Sequence, residues 1–153
     1  MASGPKTAFE KVAPILNTMG SNVYYLSEEN SHGSAMKMIN QLLAGVHLAT
    51  AAEAMNLAQT YGLDVLTVQD VMAQSAGHSW MLSDRGKRML EPDPEVKSSI
   101  NIWLKDLGIV KSVAGELDVN SPLTDTALKL FMEASKKGYG NEDDSQVIKV
   151  LKE

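Results

Sequence analysis

From Ser34 to Tyr61 the chain carries no proline and only two residues charged at neutral pH, Lys37 and Glu53. Small side chains crowd it: Ala44, Gly45, Ala49, Thr50, Ala51, Ala52 and Ala54. A stretch of this length, apolar nearly all round, reads as a helix buried at the centre of a bundle, where small residues let neighbouring helices approach closely. Gly62 follows as a C-terminal cap. The segment thus predicts a mainly α fold, a helical bundle built round one long helix.

The flanking pattern agrees. Phe9, Val12, Ile15, Leu16 and Met19 recur at spacings of three and four, predicting an amphipathic helix over Pro5 to Met19, ended by Gly20. Asn22 to Leu26 is β-branched and aromatic, the one good strand. A strand alone makes no sheet, so it either pairs across an oligomer or ends a sheet whose other strands lie upstream. Ser27 to Gly33 is a polar breaker, and it divides the chain into residues 1–30, a helix and strand, and residues 31–153, wholly helical. Four shorter helices are expected at about Leu66 to Ala76, Trp80 to Leu90, Val96 to Leu117 and Pro122 to Lys137. The third carries a core stripe of Ile100, Trp103, Leu104, Leu107, Ala114 and Leu117, the fourth one of Leu123, Ala127, Leu128, Phe131 and Ala134. After Gly138-Tyr139-Gly140, the acids of Asn141 to Asp144 open a last helix to about Leu151, favourably placed at its positive end. The nine methionines read as core fillers.

Composition narrows the function. A chain of 153 residues is one domain, or one domain plus a fragment. The formal charge is −5 and the only arginines are Arg85 and Arg88, which argues against a nucleic-acid partner, since phosphate binding needs a basic stripe. Without cysteine there is no thiolate chemistry, and His32, His47 and His78 lack metal-ligand spacing, so no metal site is expected. No uncharged run approaches the roughly 18 residues that span a bilayer, and a cytoplasmic protein is expected.

Within the apolar helix Lys37, Asn40, Gln41 and His47 form a polar stripe. It is either the solvent face or a reactive one. A lysine in the first turn sits against the helix dipole, which favours the neutral amine that proton transfer requires. A second polar face joins Asn101, Lys105, Gly108 and Ser112, where a glycine would let a ligand approach the backbone. A solvated face with an incidental glycine is the alternative. Glu53, set among alanines, needs hydrogen-bond partners and is read as structural. His78-Ser79-Trp80-Met81 reads as a helix start capped by Ser79. No GxGxxG or GxxxxGK[ST] occurs, so this chain lacks the usual means of holding a dinucleotide.

Gly33-Ser34-Ala35-Met36-Lys37-Met38-Ile39-Asn40-Gln41, then Ala51-Ala52-Glu53-Ala54, then Lys105-Asp106-Leu107-Gly108 resemble, in family order, the C-terminal helical domain of the β-hydroxyacid (3-hydroxyisobutyrate) dehydrogenases. The run Asn40 to Met55, with Ser75 to Met81 and Gly138 to Ser145, is most similar to the L-threonate dehydrogenase branch, which acts on four-carbon sugar acids. The resemblance implies a fold of the 6-phosphogluconate dehydrogenase C-terminal type, preceded by the end of a Rossmann domain. It implies that Lys37 is the catalytic lysine, that Asn40 and Gln41 bind substrate beside it, and that Lys105, Asp106 and Gly108 contact NAD or NADP. It further implies a small β-hydroxy acid as substrate and a homodimer or larger assembly.

Two departures stand out. Ser31 occupies a position where the family usually has glycine, and the dinucleotide-binding half is missing. The chain is therefore expected to be one domain of a longer protein, a truncated product or a remnant, and inactive alone. The alternative is a stand-alone helical dimerisation or regulatory module without catalysis.

Overall fold

A computed structural model describes residues 1–152. It resolves into two compact units, Met1–Gln41 and Leu42–Glu153.

The first unit holds helix α1 (Lys6–Met19) and the start of α2 (His32–Tyr61). The segment expected as a lone strand finds its partner inside the chain. Ala2 and Tyr25 form a parallel bridge, with Ala2 N–H donating to Tyr24 at 2.8 Å and Leu26 N–H donating to Ala2 at 2.9 Å. The sequence reading did not anticipate this pairing within residues 1–30. Three residues before a proline gave no strand signal, yet their backbone groups need partners and the α1 crossover returns the chain beside them. Phe9 packs on Tyr25 with ring centroids 4.8 Å apart, and the Tyr25 hydroxyl donates to the Gly4 carbonyl.

The second unit is helical. It contains the rest of α2, then α3 (Val65–Met72), α4 (Trp80–Arg85), a 3₁₀ turn (Arg88–Leu90), α5 (Ile100–Glu116) and α6 (Pro122–Ala134). A π turn (Ser135–Tyr139) and a 3₁₀ segment (Asp144–Leu151) follow. The expected helices are present, mostly shorter. The chain before Ile100 is occupied otherwise: Ser98 O accepts from Asp144 N–H at 2.7 Å, so α5 starts four residues later than periodicity suggests. The last helix is 3₁₀ and begins at Asp144, not Asn141.

Local chemistry sets the helix ends. Gly62 ends α2 at φ +90°, and Leu63 N–H donates back to the Ala58 carbonyl, the left-handed turn that glycine tolerates. Ser79 caps α4 as expected, its hydroxyl accepting from Leu82 N–H at 3.1 Å.

The core joins Leu48, Ala52 and Met55 of α2 to Ile100, Trp103 and Leu107 of α5 and Phe131 of α6, with Val147 and Ile148 closing it. Trp103 and Phe131 stack at 5.7 Å. Gly45 lets α5 come close, because a Cβ there would lie 2.8 Å from Leu107 Cδ2. The stripes are nearly as expected, but Val110 and Thr124 are buried where Leu117 and Leu123 are exposed. α2 is not buried all round. Its burial begins at Gly45 and follows one face, leaving Met36, Ile39, Leu57 and Tyr61 exposed. Of the methionines, Met55, Met81 and Met89 fill the core and most others do not, while Glu53 is exposed and needs no buried partner. Among the described residues no helix is long and apolar enough to cross a membrane.

Candidate active site

Lys37 lies in the first unit, on the exposed face of α2. The helix begins at His32, two residues earlier than expected, so Lys37 is its sixth residue and falls beyond the first turn. The dipole argument weakens accordingly, because that field fades within one turn. What the geometry supplies instead is a partner at i+4. Lys37 Nζ donates to Gln41 Oε1 at 2.6 Å, and Asn40 Nδ2 donates to the same oxygen at 3.1 Å. Gln41 thus holds one N–H of the ammonium in a fixed direction, leaving two donors without a protein partner among the described residues. The loop before Lys37 is organised too: Ser3 Oγ accepts from Gly33 N–H at 2.9 Å and donates to the Asn30 carbonyl at 2.8 Å. His32 Nδ1 lies 2.7 Å from Ser27 Oγ.

Lys105, Asp106 and Gly108 lie in the second unit on α5. Lys105 Nζ pairs with Asp106 Oδ1 at 2.9 Å, and its side chain is 68% exposed. A Cβ built on Gly108 meets nothing within 4 Å, so the backbone beside Lys105 is open to a ligand. Asn101 lies one turn before Lys105 in α5, as expected, but its side chain is already engaged. It is held by the turn that precedes the last segment: its Oδ1 accepts from Ser135 Oγ at 2.8 Å and its Nδ2 donates to Asn141 Oδ1 at 3.2 Å. Ser112 is likewise engaged, donating to Glu116 at 3.2 Å.

A buried polar cluster escaped the sequence reading. Asp144 accepts from Arg85 Nε at 2.8 Å and from Trp103 Nε1 at 3.0 Å. Asp143 accepts from Arg88 Nη1 at 2.8 Å, from Lys97 N–H at 3.0 Å and from Ser145 Oγ at 2.6 Å. Asp84 bridges both arginines. Burial disfavours the Asp143 carboxylate, but the Ser145 and Lys97 hydrogen bonds and the Arg88 charge outweigh it and hold its pKa below the usual range. Burial likewise opposes the Arg85 charge, and Asp144 and Asp84 more than restore it. The signal was present: the chain's only two arginines stand three apart, facing two adjacent aspartates. No sequence spacing reveals that they meet. Among the described residues no three acidic or histidine side chains are grouped to hold a metal.

Residues 31–151 match the family described as the NAD-binding domain of NADP-dependent 3-hydroxyisobutyrate dehydrogenase. The chain belongs to this family. It is 45% identical over 151 residues to the L-threonate dehydrogenase of Escherichia coli K12, covering 99% of this chain and 50% of that protein. The 2-(hydroxymethyl)glutarate dehydrogenase of Eubacterium barkeri is 31% identical, with 98% and 50% covered. Among solved structures, 3-hydroxyisobutyrate dehydrogenase from Salmonella typhimurium superposes with a TM-score of 0.91 at 45% identity, over 97% of this chain and 52% of that one. The chain spans about half the length of the curated relatives it matches.

Proposed function

We propose that this chain is the catalytic-lysine domain of an NAD(P)-dependent oxidoreductase acting on a small, threonate- or 3-hydroxyisobutyrate-like β-hydroxy acid. Residues 31–153 form that domain and residues 1–30 the end of a dinucleotide-binding domain. The observation that carries the reading is Lys37 anchored to Gln41 at 2.6 Å on an exposed helix face, in a chain 45% identical along nearly its whole length to threonate dehydrogenases.

In the oxidation direction the neutral Lys37 amine accepts the proton of the substrate hydroxyl while the carbon that bears it gives up hydride. In reduction the ammonium returns that proton to the carbonyl oxygen. General acid/base assistance of this kind contributes about 10² to 10⁴ in rate. Gln41 fixes the direction of Nζ, and Asn40, bonded to the same oxygen, orients the substrate beside it. The nicotinamide group, when bound, is the hydride acceptor. Residues of this chain fit its outlying part only: Lys105 offers an exposed cation, Asp106 pairs with it, and Gly108 leaves open backbone. The pyrophosphate has no glycine loop here to hold it. The protein is further proposed to be a cytoplasmic homodimer or larger assembly.

Replacing Lys37 with Ala in the full-length protein that carries this chain should abolish turnover of threonate and leave nucleotide binding, followed by nicotinamide fluorescence, largely unchanged. Retained turnover would sink the assignment.

A further inference from the structure

Within the second unit the exposed side of α2 carries a periodicity of its own. Leu43, His47, Thr50, Ala54, Leu57 and Tyr61 are all exposed and follow one another at alternating spacings of four and three. That is the 3.5-residue repeat of a seam along which one helix packs on another. It is distinct from the face of α2 that enters the core through Leu48, Ala52 and Met55. None of the six seam residues is charged at neutral pH. Leu43 is 50% exposed, Leu57 68% and Tyr61 80%, so both ends of the seam hold large apolar side chains in water. Thr50 and Ala54, at its middle, are small enough for a second backbone to come close.

The seam is the floor of a trough. On one flank a 370 Å³ hollow lies between it and α6, lined by Val46, Thr50, Glu53, Leu123, Lys129 and Leu130 among others. On the other flank a 240 Å³ hollow, which Thr50 also lines, lies between it and the loop entering α4.

Charge restricts what can lie in the trough. Glu53 and Lys129 line the same hollow and are both exposed, yet neither has an ion-pair partner among the described residues. They are complementary to an occupant that brings one charge of each sign. A second copy of this chain, its α2 laid antiparallel about a two-fold axis beside Thr50 and Ala54, is such an occupant. A two-fold axis gives both copies the same patch, so every contact occurs twice. Glu53 projects on the α6 side of the seam, and the symmetry keeps it on that side in the second copy. The partner's Glu53 then enters the hollow that Lys129 lines. A helix with charge of one sign would answer only one of the two groups.

We propose that the exposed seam of α2 is the two-fold interface between two copies of this chain, with Lys129 of each copy facing the partner's Glu53. The proposal rests on the homodimer reading, to which it gives a surface, and it is independent of the reaction at Lys37.

The test is the dissociation constant of the dimer, measured by sedimentation of this chain and of the full-length protein that carries it. Ala54→Arg sets like charges against each other near the axis and should leave monomer at micromolar concentration. Glu53→Lys and Lys129→Glu should each raise the constant about tenfold, since every dimer loses two exposed pairs. The two exchanges together should return it close to the parent value. All three positions are exposed, and unchanged circular dichroism separates lost association from lost fold. An Ala54→Arg dimer as tight as the parent's, or a double exchange no tighter than either single one, would overturn this surface and leave the homodimer standing. A monomeric parent would overturn both. Dimers of this chain beside a full-length protein indifferent to all three changes would show that another part of the longer protein covers the seam, and would also overturn the proposal.

Discussion

Asp143 and Asp144 are neighbours in sequence and both are buried, yet each serves a different arginine across a separation of 55 or 59 residues. The sequence reading placed them at a helix N-terminus, where acids are mildly favourable. Asp143 does cap the 3₁₀ segment, accepting from Ser145 N–H at 3.1 Å. The Ser145 and Lys97 hydrogen bonds, with the Arg88 charge, have a consequence for pH. The folded-state pKa of Asp143 lies below its unfolded value, so the folded chain binds fewer protons through that interval. The contribution to stability is whole above about pH 4, the ordinary aspartate range, and is lost as pH falls through the lower folded value. The thermal midpoint should drop steeply below about pH 4, and Asp143→Asn should flatten that slope. An unchanged slope in the variant would contradict the role given to Asp143. Lys37 and Gln41 show the contrary case: an i, i+4 pair on a helix is readable without any structure, because helix geometry alone brings the two together.

At the scale of elements, the start of α5 shows why periodicity misplaced a boundary. Ile100 and Asn101 N–H groups, orphans of the first helical turn, donate to the Glu142 and Gly140 carbonyls at 3.1 and 2.9 Å. The cap comes from the far end of the chain. Gly140 is required for this close approach, since a Cβ would sit 2.5 Å from Asn101 Oδ1 and 2.7 Å from Nδ2. Gly140→Ala must push Asn101 away from Ser135 and Asn141, and the expected cost is about 1–3 kcal/mol, as for other overpacked sites. Chemical denaturation would measure it; a variant as stable as the parent would show that the turn can yield without loss. The pairing of Ala2 with Tyr25 has the same origin. Strand propensity marked residues 22–26, but the partner is chosen by where the crossover helix returns the chain.

For the whole molecule, charge and exposed apolar surface bear on assembly. The second unit leaves Leu57, Tyr61 and Leu66 more than half exposed, and the first leaves Ile15 and Met19 so. Exposed side chains of this size, when they cluster, mark surfaces that partners cover. The proposed homodimer is checked by multi-angle light scattering of this chain at micromolar concentration, where twice 16.6 kDa or a higher multiple is expected. A monomeric mass would contradict it. Residue order alone determined where helices form, which side of α5 and α6 meets the core, and that Lys37 and Gln41 share a face. Those features depend on spacings within a few residues, and the 3.6-residue turn converts spacing into position. Only the tertiary structure decided that α2 is buried on one face, that Ala2 completes the pairing at Tyr25, and that Arg85 and Arg88 clasp the two aspartates. These contacts join positions tens of residues apart, and they are selected by what the folded chain must bury and hydrogen-bond, a constraint that no local pattern encodes.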